Sequence, residues 1–169
     1  MSNQNFTVKD LPALAARLAE EITPASRELD QASREAILSR ALAEGWPKEQ
    51  AIWLDRLAKQ PLFQAVADGV PGPEALDKAY SAALRELTSY YFDAAIEEGK
   101  NPIAAFLTVV NLEKALAERR GETLEYPERI LMLACKGVTA AAEQGLSSKE
   151  QIDVGYTIIR KLGSDPSCN

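Results

Sequence analysis

Apolar residues recur along this chain at the spacing of α-helices. One stripe, with intervals of three and four residues, comprises Leu11, Leu14, Leu18 and Ile22, and another comprises Leu76, Tyr80, Leu84, Leu87 and Tyr91. No segment alternates with a period of two for long enough to indicate a strand. The pattern therefore predicts an all-α protein.

Glycine and proline divide this pattern into segments. Proline suits the first turn of a helix, where its missing N–H is not needed, and glycine suits the position just after the end. Together they predict seven helices, at residues 10–22, 24–44, 47–68, 73–98, 101–120, 127–144 and 148–162. The short links between them favour antiparallel neighbours, so we expect a mostly antiparallel bundle of about seven helices joined by Gly/Pro turns.

Finer features of the pattern predict how the bundle is packed. Trp46, Val70 and Leu146 each follow a glycine, where an apolar side chain folds back onto the last helical turn. The stretches 103–112 and 130–135 are apolar nearly all round, which places residues 101–144 at the expected centre. Pro61 predicts a break or kink near Gln60. Gly137 and Gly155, inside predicted helices, indicate close helix packing, with a pocket floor as the alternative.

Composition and charge narrow the class of protein. The 169 residues suit one domain, 1–169, and we expect the segments 1–9 and 164–169 to be flexible tails. The formal charge of −6 argues against nucleic acid as a partner. No signal pattern and no membrane-spanning apolar stretch is visible, and the two cysteines do not form a disulfide framework. These observations favour the cytoplasm.

The chain has no histidine, which removes the commonest general base and the usual zinc and haem ligands. The glycine-rich and calcium-loop motifs of nucleotide and metal sites are also missing. We therefore predict no enzyme activity, no cofactor and no metal. The one catalytic alternative is Tyr90, Asp93 and Glu97, which share a helical face. A solvated face of the helix is the preferred explanation of these residues.

A second alternative is a pocket for a small apolar ligand between the segments 73–98, 101–120 and 127–144. Asn111 lies in an apolar turn, where a buried amide needs hydrogen-bond partners, and Tyr91 and Cys135 could add polar contacts. Asn111 could instead fix helix register or be partly exposed, and Cys135 could be a small core residue.

Charged residues at the turns suggest a surface for a partner. Glu44, Glu97, Glu98 and Glu143 fall in last helical turns, whereas lysines open the helices that follow, and both placements oppose the helix dipole. If the helices simply alternate, these turns lie at one end of the bundle. The resulting mixed-charge rim, with Trp46 in its first turn, could recognise a partner or could be neutral turn decoration.

The sequence thus favours a non-enzymatic, cytoplasmic protein-binding module, such as an adaptor, a regulator, a secretion chaperone or a toxin-neutralising protein. The mild acidity suits a basic protein partner, and self-association stays open. We expect Trp46 to cap its turn and Trp53 to pack with Leu57. An exposed tryptophan beside Phe63 would favour an interface, since exposed aromatic patches usually have partners.

Overall fold

The computed structural model describes residues 24–164, which form helices joined by turns and contain no strand. Its six helices are α1 (Pro24–Ala43), α2 (Lys48–Ala67), α3 (Gly72–Glu97), α4 (Pro102–Arg119), α5 (Glu128–Glu143) and α6 (Ser148–Gly163). They confirm six predicted helices to within one residue at each end. The predicted helix 10–22 and the predicted tail 1–9 lie outside the described residues, as does the predicted tail 164–169 apart from Ser164.

The chain divides into two compact units between Ala36 and Ile37, inside α1. Of the first unit, the structure describes residues 24–36, where Gln31 donates a hydrogen bond to Glu35 one turn later, at 3.3 Å. The second unit contains the end of α1 and the helices α2 to α6, and it holds all the sites considered below.

Glycine ends these helices as the sequence predicts. Gly45, Gly69 and Gly145 adopt positive φ, and the next residue returns its N–H to the last helical turn. The bonds run from Trp46 to Ala41 at 3.0 Å, from Val70 to Ala65 at 2.9 Å, and from Leu146 to Ala141 at 3.1 Å. Trp46 is thereby buried over its turn, as predicted.

Two clusters of buried side chains form the core of the second unit. The first lies among the end of α1, α2 and the first part of α3, and also includes Leu116 of α4. The second lies among the end of α3, α4, α5 and α6. The helix α6 approaches closely at Gly155, where an added Cβ would lie 2.5 Å from the Phe106 ring. Gly155 thus permits close packing, as expected.

The expected centre at residues 101–144 is wrong. The helix α3 packs against α2, α4 and α6 and belongs to both clusters, whereas α4 packs mainly against α3 and α5. Met132 of α5 is 52% exposed and Ile103 of α4 is 36% exposed. An apolar run in a short helix does not show whether every face is covered, which explains the error.

Pro61 does not end its helix. The helix α2 continues through it to Ala67, although proline supplies no N–H to the carbonyl one turn earlier. Ala58 and Leu62, on either side, are fully buried in the first cluster. Tertiary packing thus outweighs the local cost of proline. In the described range 24–164, no helix combines the length and apolarity that crossing a membrane requires.

Candidate functional site

A groove of ≈ 330 Å³ runs between α2 and α3. We call it the aromatic groove, and its lining residues are Gln50, Trp53, Leu57, Glu86, Leu87, Tyr90 and Tyr91. The α2 residues recur at intervals of three and four, so they follow one side of that helix beside its buried face. Because α3 supplies Tyr90 and Tyr91 in succession, one tyrosine turns toward the core and the other toward solvent.

Two of the three aromatic side chains of this groove are open to solvent. Trp53 is 55% exposed and Tyr90 is 66% exposed, whereas Trp46 is only 4% exposed. The rings of Tyr90 and Tyr91 meet edge to face, with centroids 5.9 Å apart. The Arg56 guanidinium lies 6.0 Å from the Trp53 ring centroid, at the outer limit of a cation–π contact. Two neighbouring helices thus present a joint aromatic surface.

An acidic face of α3 begins at the aromatic groove and continues beyond it. Along α3, Glu86, Asp93 and Glu97 are exposed and share the face of Tyr90, with spacings of three and four residues. Glu86 pairs with Lys149, and Asp93 accepts a hydrogen bond from Ser148. Glu97 has no ion-pair partner among residues 24–164. This face of α3 therefore attracts positive charge, most strongly toward the end of the helix.

Gln50 brings to the groove a side-chain oxygen that lacks a hydrogen-bond donor. Its side-chain oxygen is buried and accepts no hydrogen bond from the part of the chain described. A buried amide oxygen without a donor is costly, since folding has removed its water. A donor that entered the groove would relieve this cost.

The charged turns do not form the single rim expected. Glu44 lies at the end of α4, where Arg120 donates to its backbone oxygen at 2.8 Å. Glu97 and Glu98, in contrast, lie just before the start of α4. The helices do not simply alternate in direction, because α1 ends against α3 and the last turn of α4. At the contact with α3, the Tyr80 hydroxyl donates to the Glu44 carboxylate at 2.5 Å.

The lysines of the remaining turns do not pair with acidic residues of other turns. Lys100 pairs with Glu98 within its own turn at 3.1 Å, and Lys149 reaches the middle of α3 at Glu86. Glu143 is exposed at the end of α5. None of the five residues suggested for partner binding lines the aromatic groove, and Trp46 is buried.

The three residues suggested for a ligand pocket are not brought together. Tyr91 lines the aromatic groove, whereas Cys135 lines a separate apolar cleft between α4 and α5, with Met132 and Ile103. Asn111 is exposed and lines neither of them. Burial raises the pKa of the Cys135 thiol, so it stays protonated and unreactive at neutral pH.

The catalytic alternative also lacks a shared site. Tyr90 lines the aromatic groove, but Asp93 and Glu97 are exposed outside it, and Asp93 is bound to Ser148. Paired carboxylates shift each other's pKa only when they are close and shielded from water. Within residues 24–164, no group of three metal-ligating side chains comes together either.

Sequence reasoning missed a carboxylate held by two phenols. Glu113 of α4 accepts hydrogen bonds from Tyr126 at 2.9 Å and from Tyr156 at 2.8 Å, both at the same oxygen. Burial, followed by the charge of Glu113, raises the pKa of both tyrosines. The three residues lie on α4, the α4–α5 link and α6, so no local spacing connects them.

Comparison with known proteins adds no relative. No protein family matches the chain, and no curated protein or solved structure is significantly similar to it.

Proposed function

We propose that this protein is a non-enzymatic protein-binding module, and that the aromatic groove receives an apolar side chain from a basic segment of its partner. One observation carries the proposal: Trp53 and Tyr90 are both more than half exposed, and both line the same groove. Tryptophan and tyrosine are the residues that most often dominate binding energy at protein interfaces.

The charge around the groove supports a basic partner segment. Glu86 lines it, Asp93 and Glu97 follow along the same face of α3, and the chain carries a net charge of −6. Lysine or arginine beside the apolar anchor would meet complementary charge, which speeds association and selects among partners. The buried Gln50 oxygen offers an acceptor for a backbone N–H of the bound segment. Adaptors, regulators, secretion chaperones and toxin-neutralising proteins all work by such binding.

A reducing compartment fits this proposal. Cys135 is a free thiol in the core, and the groove itself contains no cysteine. We therefore propose the cytoplasm as the place of action.

The test is a selection of random peptides displayed on phage against the folded protein, with counter-selection against Trp53→Ala. We expect the enriched peptides to combine an aromatic or aliphatic anchor with lysine or arginine. Truncation of a hot-spot aromatic weakens binding by about thirtyfold or more, so Trp53→Ala and Tyr90→Ala should each have this effect on synthetic versions of the peptides.

Phe63→Ala is the matched control, because Phe63 is an exposed aromatic residue of the same helix outside the groove. It should leave the affinity unchanged. A charge test uses Glu97→Lys, which should slow association and reduce its dependence on salt. Peptides that bind Trp53→Ala as well as the parent, or that are enriched in acidic residues, would overturn the proposal.

A further inference from the structure

A second cleft lies between α3, α4 and α6, at the side of the α1–α2 turn. Its volume of ≈ 470 Å³ is within the range of small-molecule sites. Apolar side chains of all three helices line it, among them Leu84, Leu112 and Ile152. We call it the arginine cleft, because three guanidinium groups border it: Arg85, Arg120 and Arg160.

The carboxylates of the arginine cleft are already bound by neighbouring donors. Glu44 accepts hydrogen bonds from Tyr80 and Arg40, at 2.5 and 3.4 Å. Glu113 accepts from its two phenols, and Asp153 pairs with Arg85. Each negative charge at the border thus has its own donor within the fold.

The three arginines are not equally engaged. Arg85 is paired with Asp153, and Arg120 is paired with Glu122 at 2.9 Å. Arg160 donates only to the hydroxyl of Thr157, three residues earlier, at 3.3 Å. Among residues 24–164 no carboxylate pairs with Arg160. The cleft therefore combines an apolar lining with one guanidinium that is available to an anion.

We infer that the arginine cleft binds a small anionic amphiphile, whose carboxylate head pairs with Arg160 and whose apolar body covers the lining. The planar guanidinium matches a carboxylate with two parallel N–H donors, a stronger arrangement than a single neutral hydrogen bond. The apolar body replaces water against Leu84, Leu112 and Ile152. This site shares no residue with the aromatic groove.

The structure supplies its own reporter for the test. Trp46 lines the arginine cleft, whereas Trp53, the other of the two tryptophans, lines the aromatic groove. In the full chain with Trp53→Phe, indole emission therefore comes from Trp46 alone. The probes are decanoate, decanol and decyltrimethylammonium, which share one chain length and differ in charge, each used below its micelle concentration.

We expect decanoate to change the Trp46 emission saturably, and decanol and decyltrimethylammonium to bind at least about tenfold more weakly. Adding Arg160→Gln should reduce decanoate affinity by a similar factor, because it removes the charged donor. Arg129→Gln is the matched control, since Arg129 is an exposed arginine of α5 outside the cleft. Far-ultraviolet circular dichroism checks that each variant is folded.

No saturable change with decanoate, equal binding of the three probes, or unchanged affinity in Arg160→Gln would overturn the inference. The outcome is separable from that of the peptide selection. Trp53→Phe and Arg160→Gln alter different cavities, so either site can fail while the other is retained.

Discussion

At the scale of single residues, Glu113 shows how the fold uses a half-buried charge. One carboxylate oxygen joins α4 to Tyr126 of the α4–α5 link and to Tyr156 of α6. Both tyrosines are partly shielded from water, and both hydroxyls gain a charged acceptor, which strengthens their hydrogen bonds. The neutral phenols are favoured in the folded state, and the pKa of each is raised for the same reasons.

These pKa shifts predict a loss of stability in alkaline solution. Tyrosine in the unfolded chain releases its proton near a pH of about 10, before the folded phenols do. The free energy of unfolding should therefore fall as the pH rises above about 10. Tyr156→Phe should cost about 1 kcal/mol at neutral pH and should reduce this alkaline loss. Urea unfolding at a pH of about 8 and of about 10.5 measures both effects.

Tyr90→Phe is the control, because Tyr90 is exposed and makes no hydrogen bond within residues 24–164. It should keep the pH dependence of the parent protein. If Tyr156→Phe also keeps it, the phenol pair at Glu113 is not the source of the alkaline loss.

The residue-level sites could be predicted only in part. Trp53 is expected beside Leu57, and both line the same groove, but its exposure depends on how far α3 stands from α2. Asn111 has apolar neighbours in sequence and still faces solvent. Glu113 and Tyr156 are 43 residues apart, so only the packing of α4 and α6 connects them.

At the scale of helices, the α1–α2 turn is pressed against the end of α4. Gly45 has a φ of 92°, and an added Cβ would lie 2.6 Å from the Leu116 carbonyl oxygen. Arg119 donates to the Gly45 oxygen at 3.4 Å, and Arg120 donates to the Glu44 oxygen at 2.8 Å. This contact fixes where α1 ends within the second unit.

Comparing Gly45 with Gly145 separates the cost of a left-handed backbone from the cost of a clash with a neighbouring helix. Gly145 also follows a helix with positive φ, but an added Cβ there would meet nothing within 4 Å. Gly145→Ala should cost about 1–2 kcal/mol, the strain of a left-handed alanine. Gly45→Ala should cost about 1–3 kcal/mol more, because a backbone oxygen must also move. Denaturant unfolding of both variants tests this, and equal costs would contradict it.

Helix limits were predictable because glycine and proline act on the local backbone. The start of α4 shows this: Pro102 follows Asn101, whose side chain accepts the N–H of Ala104 at 2.8 Å. The neighbours of each helix were not predictable in the same way. The turn charges suggested one end for Glu44 and Glu97, yet long-range contacts place them at opposite ends of α4.

At the scale of the whole second unit, α3 connects two core clusters. Tyr80 and Leu87 belong to the first cluster, and Phe92 and Ala95 belong to the second. Because one continuous helix serves both, neither cluster can lose its packing without exposing part of α3. We expect the described part of this unit, residues 37–164, to unfold cooperatively.

A substitution that destabilises one cluster should therefore also destabilise the other. Leu54 is fully buried in the first cluster, so Leu54→Ala should lower the free energy of unfolding by about 2–5 kcal/mol. The slowest-exchanging amides of α5 and α6 belong to the second cluster. Native-state hydrogen exchange should show that their free energy of opening falls by the same amount. Leu42→Ala, at a position 50% exposed, is the control and should cost little.

Unchanged protection in α5 and α6 would mean that the two clusters unfold separately. In that case the two parts of α3 would unfold independently, with the boundary near Leu87, where the clusters meet.

The link between α4 and α5 is longer than the other links described. Hydrogen bonds hold both of its ends to the rest of the fold. Arg120 holds its start to the Glu44 backbone, and Tyr126 holds its end to Glu113. Between these points, Gly121, Glu122, Thr123 and Glu125 are exposed. A protease that cut this link would leave one new end bound to the α1–α2 turn and the other bound to α4. The nicked halves would stay together, so the protein could be divided there into two complementing fragments.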